Sequence, residues 1–217
     1  MKATPIDMTA YPRKAHFDYF RSLAYPYVGV TAEVDITDFR HATKAKGYNF
    51  FHSFLWCVSQ VANAIPEFRY RQRGDHVVEY DFCMTSHTVA REDETYVYCD
   101  LNADCDYFDF LPYARAEQEK AKISGDIDRT PEEEEGLLFI STMTWLTHTA
   151  LIQPVPSPAD SNPRITWGKF FDHDGKIKMP VSLLVNHALA DGRHIALFYK
   201  LLDEKMAEVV EKLGAKK

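Results

Sequence analysis

A chain of 217 residues with 46 % hydrophobic and 26 % charged side chains can bury a real core as a soluble globular protein. Its formal net charge of −7, with no basic stripe to offset it, argues against a nucleic-acid partner. No apolar run is long enough to span a bilayer and the N-terminus lacks the apolar stretch of a signal peptide, so no membrane partner and a cytoplasmic location are expected. The four cysteines, Cys57, Cys83, Cys99 and Cys105, form no C-x-x-C pair and sit in apolar or strand-like segments, as reduced core thiols do.

Taken in order, Pro12 to Arg21 reads as a short helix with Pro12 as its first residue. Tyr25 to Ile36 reads as a strand with Val28, Val30, Ala32 and Val34 in phase; Thr37 then caps a helix that Gly47 ends. Asn49 caps a second helix, apolar around most of its circumference and stopped by Pro66, which predicts a central core helix. A hairpin turns at Gly74-Asp75, and its alternating Arg69, Arg71 and Arg73 are expected on a solvated face. Strands follow near Met84 to Ala90 and Thr95 to Leu101, then a helix over Asp106 to Ile123. Ser124 to Glu135 reads as an acidic connection, with Glu132 to Glu135 in a solvated loop. Leu138 to Trp145 is a further strand, and the proline-rich Pro154 to Pro163 an irregular loop. Arg164 to Phe171 and Lys176 to His187 make a last hairpin. Interspersed strands and helices without a regular βαβ rhythm predict one α/β (α+β) domain over 1–217, a two-layer fold in which helices cover one side of a mixed sheet.

The last strand carries the most informative stretch, P-V-S-L-L-V-N-H-A-L-A-D-G-R-H from Pro180. Val181, Leu183 and Val185 alternate with Ser182, Leu184 and Asn186, the pattern of a buried strand. Asp191 then caps an amphipathic helix carried by Ile195, Phe198, Leu202, Met206, Val209 and Leu213. His187 therefore stands where a rigid strand gives way to a turn. His187 and Asp191 are four apart, but the turn between them breaks helical ligand geometry and no further ligands cluster nearby, so no metal is expected. Alone, a histidine there reads as a satisfied core residue; the Asp191-Gly192 pair changes that reading.

H-x-x-x-D-G on a buried strand, followed by a terminal helix, resembles the H-H-x-x-x-D-G signature of the chloramphenicol acetyltransferases and, more loosely, that of the dihydrolipoamide acyltransferase cores. Y-P-R-K-A-H-F-D-Y-F near the start is similar to the family opening W-V-R-R-E-H-F-x-F-Y. R-E-D-E-T-Y, F-I-S-T-M-T-W and I-T-W-G-K-F resemble further family segments, in the same order and with nearly equal spacing.

The resemblance implies a CoA-dependent acyltransferase fold and transfer of an acetyl group from acetyl-CoA, the co-substrate, to a hydroxyl of chloramphenicol or a related small molecule. It implies His187 as general base, Ser141 as the hydroxyl donor to the oxyanion, Thr166 as a helper acting through water, and an Asp191–Arg13 pair that orients the turn. A plain structural role for the strand serine Ser141 stays open from the residues alone. Phe20 and Trp145 match positions near the bound ligands, a core place for Trp145 remaining open. The resemblance also implies a homotrimer with the histidine of one chain facing the acceptor pocket of the next. Departures fall around the acceptor: Asn186 replaces the first histidine, Phe20 a tyrosine and Phe139 an asparagine. They leave two alternatives, a non-catalytic trimeric ligand-binding homologue and a dihydrolipoamide-type acyltransferase core.

Overall fold

The computed structural model of the protein describes residues 1–215, so the last two positions of the expected 1–217 domain lie outside the described residues. The chain begins with β1 (Ala3–Pro5), α1 (Lys14–Phe20), β2 (Tyr27–Asp35), α2 (Thr37–Ala45) and α3 (Phe50–Ala64). It continues through α4 (Pro66–Arg69), β3 (Tyr70–Arg73), β4 (His76–Tyr80), β5 (Met84–Ala90), β6 (Tyr96–Leu101) and α5 (Tyr107–Ser124). The last third holds α6 (Pro131–Glu135), β7 (Leu137–Met143), β8 (Arg164–Gly168), β9 (Phe171–His173), β10 (Lys176–Asn186) and α7 (Gly192–Ala215).

The main sheet has strand order β2-β10-β8-β7-β5-β6, with β9 on β10, and is mixed as expected: β5–β7 and β7–β8 are parallel, the other pairs antiparallel. A small sheet, β1-β4-β3, stands apart from it. Val181, Leu183 and Val185 of β10 join α3 and α7 in the main core, so the apolar half of each alternation faces the helices. Asn49 caps α3 as expected, its side chain accepting from the His52 amide at 3.0 Å, and nearly the whole helix is buried.

Several local expectations are corrected. Helix α1 starts at Lys14, not Pro12, and Thr37 is the first residue of α2, not its cap; its hydroxyl instead donates to Asp35. Val30 lies 45 % exposed on the edge strand although it keeps phase with the buried Val34.

The arginine trio is not a solvated face. Arg71 is 0 % exposed and donates to the carbonyls of Phe68, Tyr70, Glu135 and Leu137. It serves as a buried fork for carbonyls at the ends of several elements, two of which, Glu135 and Leu137, Asn162 also binds. Arg73 grips Glu135 through both guanidinium nitrogens. Residues 131–135, expected as a loop, form a helical turn because Thr130 and Glu133 make a capping box. Cys57, Cys83 and Cys99 are buried free thiols as read, whereas Cys105 is exposed.

Candidate active site

His187 is the first residue beyond β10, and the protein fixes it from every side. Its amide donates to Pro26 O at 2.7 Å, and Nδ1 lies 3.1 Å from Ala190 O. A carbonyl only accepts, so in the neutral ring Nδ1 carries the proton and Nε2 keeps its lone pair. The Phe20 ring stacks on the imidazole, centroids 3.9 Å apart and planes 9° from parallel. Ala188 and Leu189, the next two residues, plug a second small core with Tyr11, Phe17 and Val77, which anchors the turn on α1 and the small sheet. Asn186 holds the turn too: its Oδ1 accepts from Ala188 N and its Nδ2 donates to Asp160 O.

Asp191 lies behind the turn. Arg13 Nη1 meets its Oδ2 at 2.6 Å, while Oδ1 caps α7 by accepting from Arg193 N. Partial burial opposes ionisation of Asp191, but the Arg13 hydrogen bond and the charges of His194 and Arg13 outweigh it and hold the carboxyl at about 2. His194, three residues on, comes within 2.9 Å of Asp191 Oδ1 and 3.4 Å of Glu67 Oε1. The Glu67 contact raises its pKa from the ordinary histidine value. His194 and Glu67 were missed from sequence, although a histidine three residues after a capping aspartate faces it across one helical turn.

Ser141 and Thr166 lie elsewhere on the sheet. Register sets Ser141 opposite Thr166, Thr166 opposite Ser182, and Ser182 opposite Thr31, so four hydroxyls from β7, β8, β10 and β2 share one face. The loop of residues 144–163 lies over this row: His148 Nε2 is 3.1 Å from Ser182 Oγ, and Thr166 donates to Gln153 Oε1 at 3.4 Å. Ser182 Oγ also meets Thr31 Oγ1 at 2.7 Å. Gly168 makes room for His148, since a Cβ there would come within 2.7 Å of Nδ1. Among the described residues the Ser141 hydroxyl has no protein partner. It lines a cavity of about 410 Å³ with Thr166, Thr88, Tyr96, Tyr98, Arg129, Phe139 and Arg164. His148 and Gln153 carried no sequence signal, because each reaches its partner from an irregular loop.

His187 does not line that cavity. It lies five residues along β10 from Ser182, and Ser141 is two strands farther across. Standard strand rise and spacing put the two backbones about 19 Å apart within one chain. The structure thus brings together Arg13 with Asp191, His187 with Phe20, and Ser141 with Thr166, and keeps the last pair apart from the others. Trp145 is 81 % exposed two residues beyond β7, which excludes a core place within the chain. Among the described residues no cluster of three or more His, Cys, Asp or Glu side chains could hold a metal, and no helix is long and apolar enough to cross a membrane.

The family model described as chloramphenicol acetyltransferase matches residues 1–203. The chain belongs to the chloramphenicol acetyltransferase family. A chloramphenicol acetyltransferase of Clostridium perfringens is 29 % identical over 205 residues, covering 92 % of this chain and 96 % of that one. A solved chloramphenicol acetyltransferase superposes with a TM-score of 0.87 at 28 % identity, over 94 % of this chain and all of that one. The dihydrolipoamide acetyltransferase of Azotobacter vinelandii superposes with a TM-score of 0.67 at 18 % identity, over 92 % and 88 %, and shares the fold. The family read from the motifs is the one that matches, and the mixed sheet with its helical cover is the fold of that family.

Proposed function

We propose that this chain, as one acyltransferase domain, moves the acetyl group of acetyl-CoA to a hydroxyl of chloramphenicol or a related small molecule. His187 acts as the base. The observation that carries the reading is the Nδ1–Ala190 O hydrogen bond, which selects the tautomer whose Nε2 is the acceptor in a ring held by backbone and by Phe20. Nε2 takes the proton of the acceptor hydroxyl while that oxygen attacks the thioester carbonyl carbon. The resulting tetrahedral oxyanion accepts a hydrogen bond from Ser141, whose hydroxyl has no competing protein partner among the described residues. Collapse breaks the C–S bond, and His187 returns the proton to the departing CoA sulfur. Thr166, level with Ser141 in the register, orients a water or the acceptor beside it. Arg13 and Asp191 position the turn and touch no reacting atom.

A separation of about 19 Å does not span one reacting carbonyl, which supports reading the base and the oxyanion donor as coming from different copies. We therefore read the protein as a homotrimer with His187 of one subunit facing Ser141 of the next. Its supports are the apolar side chains exposed on edge strand β2, just before it and in the 144–163 loop: Val30, Tyr25, Trp145, Leu146 and Ile152, the last 95 % exposed. Trp145 and Phe20 then belong to the seam, beside the bound substrates. Three buried free thiols fit a reducing, cytoplasmic setting. A thiol-release assay with acetyl-CoA and chloramphenicol tests the reading. Wild type should release CoA in an acceptor-dependent way and His187→Ala should not; turnover that survives the substitution removes His187 as the base.

A further inference from the structure

The loop of residues 144–163 lies over the Ser141 cavity but is tied down firmly only near its end. Between Thr149 and Ala159, among the described residues, Gln153 alone makes a hydrogen bond, the 3.4 Å contact with Thr166. At Asp160 this changes. Its two carboxylate oxygens take Arg164 Nη1 and Nη2 at 2.8 and 2.7 Å, in a pair whose side chains are largely buried. Asp160 Oδ1 also accepts from the Tyr27 hydroxyl at 2.9 Å. The Asp160 carbonyl accepts from Asn186 Nδ2 at 2.8 Å and shares the Tyr27 hydroxyl at 3.2 Å. Strands β2, β8 and β10 therefore converge on one residue of the covering loop.

The two ends of Asp160 serve different regions. Its carboxylate belongs to the cavity: Asp160 and Arg164 both line it, and the Arg164 guanidinium lies 5.1 Å from the Phe139 ring centroid. A guanidinium gripped through two nitrogens keeps one orientation, so this pair fixes the wall against which an acceptor packs. The carbonyl belongs to the turn. Asn186 immediately precedes His187, and its Oδ1 accepts from the Ala188 amide at 2.9 Å, so its side chain spans the base on both sides. Asn186 is 2 % exposed, and water cannot replace a bond lost there. Pro26, whose carbonyl takes the His187 amide, is joined directly to Tyr27. Two departures from the family pattern, Phe139 and Asn186, thus stand at the two ends of one chain of contacts.

We infer that Asp160 is a positioning residue for acetyl transfer: its carboxylate sets the acceptor wall through Arg164, and its carbonyl sets the aim of the His187 turn through Asn186. It touches no reacting atom. This rests on the acetyl-transfer reading above and adds to it a residue outside the base and the oxyanion donor. Because the two bonds leave different groups of one residue, substitutions separate them. Asn186→Ala cuts the turn side and Arg164→Gln the wall side, whereas Asp160→Ala releases both. Asp160→Asn keeps Oδ1, the oxygen shared by Tyr27 and Arg164 Nη1, and so keeps the carbonyl in place.

The test is steady-state transfer from acetyl-CoA to chloramphenicol at neutral pH, beside nitrogen NMR of isotope-labelled histidine with the His187 signals assigned from His187→Ala. Asn186→Ala should lower kcat about tenfold with the chloramphenicol KM within about twofold. Arg164→Gln should raise that KM about fivefold and leave kcat within about twofold. Asp160→Ala should show both changes, and Asp160→Asn should recover most of kcat. In the spectra, Asn186→Ala and Asp160→Ala should replace the single His187 tautomer of the wild type with an exchanging mixture, and Asp160→Asn should restore it. If Asp160→Ala keeps the wild-type kcat and His187 signals, or changes only the unfolding temperature, the inference is overturned while acetyl transfer stands. Absence of His187-dependent turnover in the wild type overturns the transfer reading, and this inference with it.

Discussion

The His187 turn and the Ser141 cavity are built on opposite plans. Around His187 nearly every group is engaged within the chain: the amide by Pro26, Nδ1 by Ala190, the ring face by Phe20, and the carboxylate behind it by Arg13. Around Ser141 the hydroxyl is unengaged, Thr166 makes one long bond, and the covering loop has no regular structure. A base, the role proposed for His187, must hold one tautomer and one direction through the cycle, which bonds within the chain can fix. A donor to a transient oxyanion must stay unpaired until the charge appears. On the proposed reading, the held turn serves the proton transfer and the open cavity serves the developing oxyanion.

Breaking the turn at its centre should have the largest effect. His187→Ala should lower kcat by about 10²–10⁴ with KM for acetyl-CoA little changed, measured by thiol release. Breaking the cavity at its donor should come next: Ser141→Ala should cost about 10²–10³ in kcat and leave chloramphenicol binding intact by calorimetry.

Acid should separate the core beneath the sheet from both regions. His87 and His52 bring their Nε2 atoms to one acceptor, Gln118 Oε1, at 3.4 and 2.9 Å. Burial, with the neighbouring His52 charge adding to it against the pull of Gln118 and Asp100, lowers the His87 pKa to about 4. The unfolded chain therefore binds a proton below about 6.5 that the native chain refuses until about 4. Stability from this group is complete above pH 6.5 and declines as pH falls toward 4, by about 3 kcal/mol in all. Guanidinium unfolding at pH 7, 6, 5 and 4 should show that slope, and His87→Phe should flatten it.

The smallest expected change is at the back of the turn. Asp191→Asn leaves Arg13 facing a neutral amide with its Nε and Nη2 already buried without hydrogen-bond partners. It should destabilise by about 1–3 kcal/mol, and it should lower kcat more than KM because the turn loosens. Thermal unfolding beside steady-state kinetics checks both.

The turn was legible because it is contiguous: strand, histidine, turn, cap and helix follow one another from Pro180 to His194, each with its own local signal. Arg13 became legible only through the family likeness, since nothing local says that it reaches Asp191. Arg71 was misread because alternation along a hairpin ordinarily separates core from solvent. Its burial follows from carbonyls at Phe68, Glu135 and Leu137, which converge from distant parts of the chain. Residues 131–135 were misread because four glutamates mask a capping box whose evidence is the Thr130–Glu133 spacing. The cavity wall draws on four strands, the short helix α6 and two loops, so no contiguous stretch of sequence announces it.

The central claim is that base and oxyanion donor meet only between copies. Mixing His187→Ala chains with Ser141→Ala chains, after joint unfolding and refolding, tests it directly. Neither variant alone should turn over appreciably, yet equal mixtures should regain about a quarter of wild-type activity, because a cyclic trimer then pairs an intact histidine with an intact serine at that fraction of its seams. Mixtures no more active than the average of the two variants would contradict the claim and place both groups within one chain.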